Sequence, residues 1–382
     1  MKTNNLLYIS GSYPDNQEGI AAGAKVLLDA MVRQDYKGEI FLLTTDTPVI
    51  SNNIEKNSSV KYFLLKNWRV TPKNVKTVFD IIKKNKIKEI HMEYPGDLYG
   101  KTFLASFLPM FVRIYNLFHK EKINFSVRLH EFSRARFLRK VAIMPIALFS
   151  KRIYIPAQHD RELIRKVAGK RVMETIIGTN IMVSPCEVHK TDKTVISYFG
   201  GVYHGKGIER MFRLWKEIND RDIENNFVFK IIGELNPDNN NHFAEYHKMA
   251  KGWLKDYGLL DKVQITGYVT DEEVSREIQN TDIATVLYED GLTLRRGSFI
   301  AYLTHGVPII TSLPDEEADK LLNGVKGVFM TDSDEEIVNQ AYKWKHLSQQ
   351  EKTQIFIENK EKSKYFSWDE IAKTFLRDYG MM

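Results

Sequence analysis

The sequence of 382 residues has a single cysteine, Cys186, and no long uncharged apolar run. One cysteine excludes a disulfide framework and any metal site built on clustered cysteines. No stretch reaches the roughly 18 apolar residues of a membrane-spanning helix, and the first residues resemble a strand rather than a signal peptide. With 43% apolar and 27% charged residues, disorder is also excluded. The absences predict a cytoplasmic protein, and the length predicts two domains.

Positive charge is concentrated in one segment. The net charge is +6, yet residues 101–171 hold sixteen Lys and Arg against four Asp and Glu. This excess predicts an anionic partner, such as a phosphate-bearing ligand or a membrane surface, although a solvated helix face explains it equally well. A nucleic-acid partner is not expected, because no binding motif and no alternation of aromatic and basic residues accompanies the charge.

Short apolar strands alternate with helical segments in two successive halves. Continuous apolar strands of this kind predict parallel sheets covered on both faces. The predicted fold class is therefore α/β, with two doubly wound, Rossmann-like domains facing each other across a cleft. The predicted domains are 1–188, 189–366 and a C-terminal helix, 367–382, that packs back on the first domain. Helix starts are predicted by the pairs Thr270 with Glu273, Ser333 with Glu336, and Ser367 with Glu370.

Glycine-rich loops follow the first strand of each half. The first loop ends at Gly19, and the second, within SYFGGVYHGKGIERM, contains Gly201 and Lys206. Backbone N–H groups at such a helix start can approach an anion, and the helix dipole favours that charge. The spacing is not GxGxxG, so a plain turn explains the first loop equally well. A glycine-rich turn with an exposed lysine is the alternative for the second.

The segment EDGLTLRRGS follows a buried strand and precedes a helix. Its first three residues are Glu289, Asp290 and Gly291, and its last four are Arg295, Arg296, Gly297 and Ser298. Arginine is unfavourable at the positive end of a helix dipole, so two arginines there indicate a bound diphosphate. Exposed loop arginines are the alternative. His130 ends another predicted strand, where a parallel sheet places ligand-binding residues, although a lone histidine is more often structural.

In their order and spacing these motifs resemble those of the GT-B glycosyltransferases. Within that fold they resemble the retaining family four enzymes of bacterial surface-polysaccharide biosynthesis. The similar pieces are the Gly19 loop, His130-Glu131, the turn with Lys206, Gly233, ITGYVTDEEVSREIQNTDI and HGVPIIT. Two features of the family are missing. Its usual arginine in the lysine turn is Gly201, and its usual two glutamates, separated by seven residues, would fall at Thr293 and Ala301.

The resemblance implies transfer of a hexosyl group from a nucleoside diphosphate sugar to a hydroxyl of a glycan or lipid-linked acceptor. Retention of configuration is implied, and neither a metal nor a cofactor is expected. His130 would be the catalytic contact to the donor sugar. The donor diphosphate would be bound by Gly19, Lys206, Arg295, Arg296, Gly297 and Ser298. The sugar or base would be contacted by Gly201, Gly233, Tyr268, Glu289, Asp290 and Gly291, and the acceptor by Glu93 and Tyr94.

Two hypotheses accompany this interpretation. The missing glutamates and arginine leave open a catalytically silent GT-B module that acts as a partner subunit. The apolar segments 103–118 and 141–149 lie inside the basic region, and such segments can bind anionic lipid at a membrane interface. That contact would place the protein at the inner face of the cell membrane. Helices that simply cover the first sheet are the alternative.

Overall fold

The structure, a computed structural model, describes residues 4–13, 19–47, 50, 54, 59–94, 99–100, 102–130, 132–133, 135–187, 192–236 and 243–382. The chain divides into two units, the first formed by Met1–Gly178 and Ser367–Met382 and the second by Thr179–Phe366. The division lies before the boundary predicted at residue 188. Ser184 explains the difference, because its N–H donates to Ser275 Oγ at 2.9 Å and its carbonyl accepts from Gln279 at 2.8 Å, both within the second unit.

The first unit contains a seven-stranded parallel sheet in the order β3-β2-β1-β4-β5-β6-β7. Its strands are β1 (Asn5–Ser10), β2 (Ile40–Thr45), β3 (Lys61–Leu65), β4 (Ile87–Tyr94), β5 (Asn124–Leu129), β6 (Arg152–Ile155) and β7 (Val172–Glu174). Its helices before the second unit are α1 (Gly19–Val32), α2 (Pro72–Lys84), α3 (Leu104–Phe118), α4 (Phe137–Phe149) and α5 (Gln158–Ala168), and a short 3₁₀ helix follows at Gly169–Arg171.

The second unit contains a six-stranded parallel sheet in the order β10-β9-β8-β11-β12-β13. Its strands are β8 (Thr194–Phe199), β9 (Phe227–Ile232), β10 (Val263–Ile265), β11 (Ile283–Val286), β12 (Ile309–Thr311) and β13 (Val328–Met330). Its helices are α6 (Ile208–Arg221), α7 (Ala244–Asp256), α8 (Asp271–Gln279), α9 (Gly297–Thr304), α10 (Glu316–Leu322), α11 (Asp334–His346) and α12 (Gln349–Ser363), followed by a 3₁₀ helix at Lys364–Phe366.

Both faces of the first sheet are covered by helices. One core contains side chains of α2, α3, α4 and α5, and the other contains side chains of α1 and of the last helix, α13 (Trp368–Asp378). In β1, alternate residues serve the two faces, with Leu7 and Ile9 in the first core and Leu6 and Tyr8 in the second. A strand that is buried on both faces has no solvent-facing side, and this explains why its apolar run is continuous. The arrangement confirms the predicted α/β class.

The helix starts agree in part with the prediction. Thr270 and Glu273 form the predicted capping box of α8, and Ser333 Oγ accepts from the N–H of Glu336. Ser367 lies at the N-cap of α13, so the helix begins where predicted, but its side chain makes no capping hydrogen bond and the predicted capping box with Glu370 is wrong. A capping box that the sequence analysis missed, Ser348 with Glu351, begins α12. The short strands β3, β6, β7 and β13 were also missed, since three to five residues carry little periodicity.

Candidate functional site

The predicted donor-binding residues of the second unit meet at the carboxyl ends of β8, β9 and β11. Gly207, at the N-cap of α6, has φ +59, and a Cβ there would overlap the carbonyl oxygen of Leu287. Gly233 has φ +149, and a Cβ there would lie 2.7 Å from the carbonyl oxygen of Gly200. These two glycines are therefore required for the loops to approach each other.

A buried tyrosine, Tyr288, connects these loops. Its hydroxyl lies 2.8 Å from Ser298 Oγ at the start of α9, and the guanidinium of Arg296 stacks on its ring at 4.4 Å. The ammonium of Lys206 lies 5.4 Å from the same ring and 5.1 Å from the ring of Tyr203. Burial raises the pKa of Tyr288 to about 12, so its hydroxyl stays protonated at neutral pH. We name Tyr203, Lys206, Tyr288, Arg296 and Ser298 the Tyr288 cluster.

Lys206 carries a positive charge that the cluster does not neutralise. Within the described part of the chain, no carboxylate pairs with its ammonium, which lies over the faces of two tyrosine rings. Aromatic faces stabilise a cation through their quadrupole, and they leave its hydrogen-bond donors available. The arrangement therefore holds an ammonium group ready for an anion.

The positive charge of Arg296, unlike that of Lys206, is neutralised by a carboxylate. Its guanidinium donates to the carboxylate of Asp290 and, at 3.1 Å, to the carbonyl oxygen of Gly291, and its side chain is 16% exposed. Asp290 was predicted to contact donor sugar, yet in this structure its carboxylate binds Arg296. This ion pair gives a structural reason for an arginine at the start of α9, which the sequence analysis attributed to a bound diphosphate.

The start of α9 offers backbone donors. Tyr288 hydrogen-bonds with the backbone of Phe299, whereas the N–H groups of Gly297 and Ser298 have no acceptor among the described residues. The first N–H groups of a helix have no partner inside the helix, and the dipole favours an anion beside them. Since Ser298 also contacts Tyr288, these donors belong to the same cluster as Lys206.

The remaining predicted donor residues occupy more peripheral positions. Glu289 is exposed and, with Gly207, Arg210 and Ser312, lines a cavity of about 250 Å³ beside the cluster. Tyr268 follows β10 and is 80% exposed. Gly201 packs on Tyr203 and accepts through its carbonyl from Tyr198, whereas Arg295 is half-buried. Gly19 is the first residue of α1 in the first unit, and the rest of its loop lies outside the described residues.

The first unit holds a second cluster, at the carboxyl ends of β4 and β5. His130 Nε2 lies 2.6 Å from Glu93 Oε2. Glu93 Oε1 lies 3.0 Å from the Tyr8 hydroxyl, 3.0 Å from His91 Nε2 and 3.4 Å from an Arg128 guanidinium nitrogen. We name Tyr8, His91, Glu93, Arg128 and His130 the Glu93 network. Its carboxylate is only 1% exposed and is bound on both oxygens.

The charges of this network balance one another. Burial by itself would raise the pKa of the Glu93 carboxyl, but Arg128, His130 and His91 hold it well below its ordinary value. Burial lowers the pKa of His91, so its ring is neutral at pH 7. The neutral ring donates from Nε2 to Glu93, and its Nδ1 accepts from the Tyr379 hydroxyl at 2.5 Å. Tyr379 directly follows α13, so the C-terminal helix contributes to the network.

The two predicted acceptor contacts lie in the interior. Glu93 is enclosed as described, and Tyr94 is buried, with its hydroxyl 2.9 Å from Ser106 Oγ and its ring stacked on Tyr99. A side chain without exposed surface cannot reach a glycan in this conformation. We therefore assign Glu93 to positioning His130, whose ring it orients through Nε2. Because Nε2 donates to Glu93, Nδ1 is the ring nitrogen that has no hydrogen-bond partner among the described residues.

Sequence reasoning missed several members of both clusters. Tyr288 belongs to the buried run ATVLY and Tyr8 to the run LLYI, where each reads as an ordinary strand residue. Arg128 was counted as part of a basic segment, although it is fully buried. A signal was available for Arg128, since a cation in the middle of an apolar strand requires a buried counter-charge. No three His, Cys, Asp or Glu side chains of the described residues form a metal-binding group.

Solved structures with similar folds cover almost the whole chain. A glycosyltransferase from Rickettsia africae ESF-5 is 14% identical with a TM-score of 0.73, over 99% of this chain and 98% of that one. HepE from Anabaena, solved in complex with UDP, is 13% identical with a TM-score of 0.71, over 99% of each chain. WaaG, a glycosyltransferase involved in lipopolysaccharide biosynthesis, is 9% identical with a TM-score of 0.60, over 98% and 99%. No curated protein matches the sequence.

These likenesses and the two parallel α/β units show the predicted GT-B fold. Residues 185–363, which lie almost entirely in the second unit, match the family model of glycosyl transferases group 1. The matched residues include every member of the Tyr288 cluster. The second unit is therefore similar to a group 1 glycosyltransferase domain.

Proposed function

We propose that this enzyme transfers a sugar from a nucleoside diphosphate sugar to a hydroxyl of a glycan or lipid-linked acceptor, with retention of configuration and without a metal ion. The observation that carries the proposal is the ammonium of Lys206, which lies against two tyrosine rings without a carboxylate partner in the described residues. Such a cation suits a diphosphate when combined with the N–H groups of Gly297 and Ser298, which have no acceptor among the described residues and belong to the same cluster.

In the proposed reaction the bond between the anomeric carbon and the diphosphate oxygen breaks, and a bond from the acceptor oxygen to that carbon forms. The acceptor proton passes to the departing diphosphate, on the same face of the sugar. Negative charge therefore develops on the diphosphate as the bond breaks. Lys206 and the start of α9 stabilise that charge, which is how fixed donors accelerate such a step.

His130 is the proposed contact to the donor sugar, as the family resemblance implies. Its Nε2 is held by Glu93 at 2.6 Å, so the orientation of the ring is set before any ligand binds. An oriented imidazole loses little freedom when a sugar hydroxyl reaches it, and this preorganisation favours turnover.

Uridine nucleotides are the first donors to test. The similar structure of HepE from Anabaena was solved with UDP, with UDP and glucose, and with UDP-glucose. A surface glycan is the acceptor class suggested by the resemblance to WaaG. We therefore propose a UDP-sugar as donor and a cell-surface polysaccharide or its lipid-linked precursor as acceptor.

Calorimetric titration of UDP into matched variants tests the diphosphate site. We expect Lys206→Ala and Arg295→Ala each to weaken binding roughly tenfold to a hundredfold, because a charge-assisted hydrogen bond contributes about 1.5–3 kcal/mol. Lys255→Ala is the control, since Lys255 is an exposed lysine at the end of α7. Equal UDP affinity in all three variants would place the diphosphate elsewhere. Transfer that continues in EDTA supports the metal-free reaction.

A catalytically silent partner subunit is the second candidate. Three observations favour it, namely Gly201 in place of the usual arginine, Thr293 and Ala301 in place of the usual glutamates, and the ion pair that occupies Arg296. A purified sample that binds UDP but neither hydrolyses nor transfers from any UDP-, GDP-, dTDP- or CMP-sugar would establish this alternative.

A further inference from the structure

A larger cavity lies at the amino ends of the strands of the second unit. Its volume is about 500 Å³, and its lining includes Val195 at the start of β8, Asp282 directly before β11 and Pro308 directly before β12. The Tyr288 cluster lies at the carboxyl ends of this sheet. Because the paired strands are all parallel, the cavity and the cluster are at opposite edges of the sheet. We name it the α12 cavity, after the helix that forms one wall.

Helix α12 contributes residues to this wall at regular helical spacing. Lys352, Phe356 and Lys360 follow one another at intervals of four residues, so they share one side of the helix, and all three line the cavity. On the buried side, Asn359 donates to the carbonyl oxygen of Val307 at 2.8 Å. This hydrogen bond holds the helix against the turn before β12 and so fixes the wall that carries the two lysines.

Neither of these lysines pairs with a carboxylate among the described residues. The ammonium of Lys352 lies 5.3 Å from the ring centre of Trp344, and that of Lys360 lies 4.9 Å from the ring centre of Phe356. Both lysines are half-buried. Aromatic faces stabilise a cation through their quadrupole and leave its hydrogen-bond donors available. The wall therefore offers two ammonium groups to an anion.

Two other lysines beside α12 are neutralised in the usual way. Lys326 and Lys364 form ion pairs with Glu358 and Glu361, which are carboxylates of α12 itself. Acids of this helix are therefore within reach of neighbouring lysines. The two lysines that line the cavity differ from these neighbours, because their ammonium groups lie over aromatic rings instead.

The rest of the lining adds little negative charge. Asp282 is the only carboxylate among the described lining residues, and its Oδ2 accepts from a backbone N–H of β8 at 2.9 Å. His305 Nδ1 donates to the carbonyl oxygen of Ala301 at 2.7 Å, and Nε2 accepts from Ser275 Oγ at 2.9 Å. Burial lowers the pKa of His305, as does the charge of Lys360, so the ring is neutral at pH 7. Two cations against one anion favour a negatively charged ligand.

We propose that the α12 cavity binds a small organic phosphate, whose anionic group contacts the ammonium groups of Lys352 and Lys360. Lysine binds phosphate as a point charge with three donors. The partly exposed ring of Phe356 and the polar side chains of Gln349 and Thr353 also line the cavity, so the body of the ligand meets apolar and polar contacts. The volume lies within the roughly 300–1,000 Å³ of small-molecule sites. The inference does not depend on the proposed donor or acceptor.

Calorimetric titration of the full-length protein with glucose 6-phosphate, inorganic phosphate and glucose tests the site. We expect saturable binding of glucose 6-phosphate at millimolar concentration or below, about fivefold or more tighter than that of inorganic phosphate, and none of glucose, because both the charge and the body of the ester make contacts. Bound ester should also raise the melting temperature. No saturable binding of glucose 6-phosphate, or equal affinity for inorganic phosphate, would overturn the proposal.

Matched variants locate the binding. Lys352→Ala combined with Lys360→Ala should weaken glucose 6-phosphate binding about tenfold or more, because two charge-assisted contacts are lost. Lys255→Ala combined with Lys364→Ala removes two exposed lysines that do not line the cavity and should leave the affinity unchanged. Thr353→Glu adds a carboxylate at an exposed position of the wall, so it should weaken binding while keeping the melting temperature. Unchanged affinity in both cavity variants would refute the assigned site.

Lys206→Ala distinguishes this site from the Tyr288 cluster. Binding of glucose 6-phosphate that persists in Lys206→Ala but is lost in the double variant of Lys352 and Lys360 would support the α12 cavity. The reverse result would overturn the assignment, because the phosphate would then be bound at the carboxyl ends of the strands. That result would leave the proposed transfer reaction intact.

Discussion

The carboxyl ends of the two sheets carry clusters of opposite electrostatic design. In the first unit a buried anion, Glu93, accepts hydrogen bonds on both carboxylate oxygens, and its side chain is only 1% exposed. In the second unit a cation, Lys206, lies against aromatic rings without a carboxylate in the described residues. A charge compensated by the protein itself positions neighbouring groups, whereas a charge left uncompensated is available to a ligand.

The same contrast applies within the second unit. Arg296 and Lys206 both contact the Tyr288 ring, but among the residues that the structure describes only Arg296 has a carboxylate partner, Asp290. Sequence alone treats the two cations as equivalent diphosphate ligands. Their different compensation predicts that Lys206 contributes more to anion binding than Arg296 does.

The largest effect is expected from removing the buried anion. Glu93→Ala leaves the fully buried Arg128 without its counter-charge, which typically lowers the free energy of unfolding by about 3–5 kcal/mol. Chemical denaturation of the purified variant measures the loss. Asp80→Ala removes an exposed carboxylate that pairs with Lys76 and should change the same free energy by less than about 1 kcal/mol. Equal stability of the two variants would contradict the compensation described for Glu93.

Substitutions of His130 distinguish a structural role of this residue from a catalytic one. His130→Ala should lower kcat and kcat/KM together, roughly tenfold to a hundredfold, with UDP affinity nearly intact, because a sugar contact that strengthens as charge builds acts in the transition state. His130→Gln keeps an N–H donor for Glu93 and should restore the melting temperature without restoring the rate. Wild-type turnover in a folded His130→Ala sample would remove His130 from the site.

Asp290→Asn tests the compensation of Arg296. If the carboxylate mainly neutralises Arg296, its removal should strengthen UDP binding a few-fold, in keeping with the 0–1 kcal/mol of a partly exposed ion pair. Asp220→Asn, which breaks an exposed pair with Lys216, should leave UDP affinity unchanged. Weaker UDP binding, or slower transfer at equal affinity, would instead support the sugar contact expected from the family resemblance.

The smallest effect concerns pH. Burial lowers the pKa of His91 from its ordinary 6.5, so in the native state the ring resists a proton that the unfolded chain takes up. The unfolding free energy should therefore fall as pH decreases below about 6.5, until the folded pKa is passed. His91→Gln should flatten this dependence between pH 6.5 and pH 5, measured by denaturation at each pH. A variant as pH-sensitive as the wild type would exclude His91 as a cause.

The site was predictable to the extent that its signals are local. Gly207 and Lys206 stand out because a glycine-rich turn between a strand and a helix is readable from adjacent residues. Tyr288 did not stand out, because a tyrosine in a buried run looks like any core aromatic. Glu93 and His130 were both predicted as strand-end residues. Their 2.6 Å hydrogen bond, however, joins the ends of two different strands, so it cannot be predicted from neighbouring residues in the sequence.

The basic segment, residues 101–171, shows what the sequence alone could not predict, namely which of its cations are buried. Its sixteen cations predict an exposed positive surface, yet Arg128 and Arg161 are buried, where Arg128 binds Glu93 and Arg161 binds the carbonyl oxygens of Ile155 and Pro156. Arg152 binds Glu89. The segment is as basic as its composition indicates, but part of its positive charge is buried in the first unit, where it binds protein groups. Other cations of the segment, among them Arg113, Lys120 and Lys151, are exposed.

By itself the sequence determined the class of fold and the positions of its loops. Apolar runs of strand length, helical periodicity and glycine-rich turns each involve residues that are neighbours in the sequence. These features can therefore be recognised from the sequence alone. Only the tertiary structure decided which charges are neutralised, which are left for a ligand and which apolar helix sides face outward. Those outcomes depend on residues far apart in sequence, such as His91 and Tyr379, because compensation and burial are properties of the packed chain.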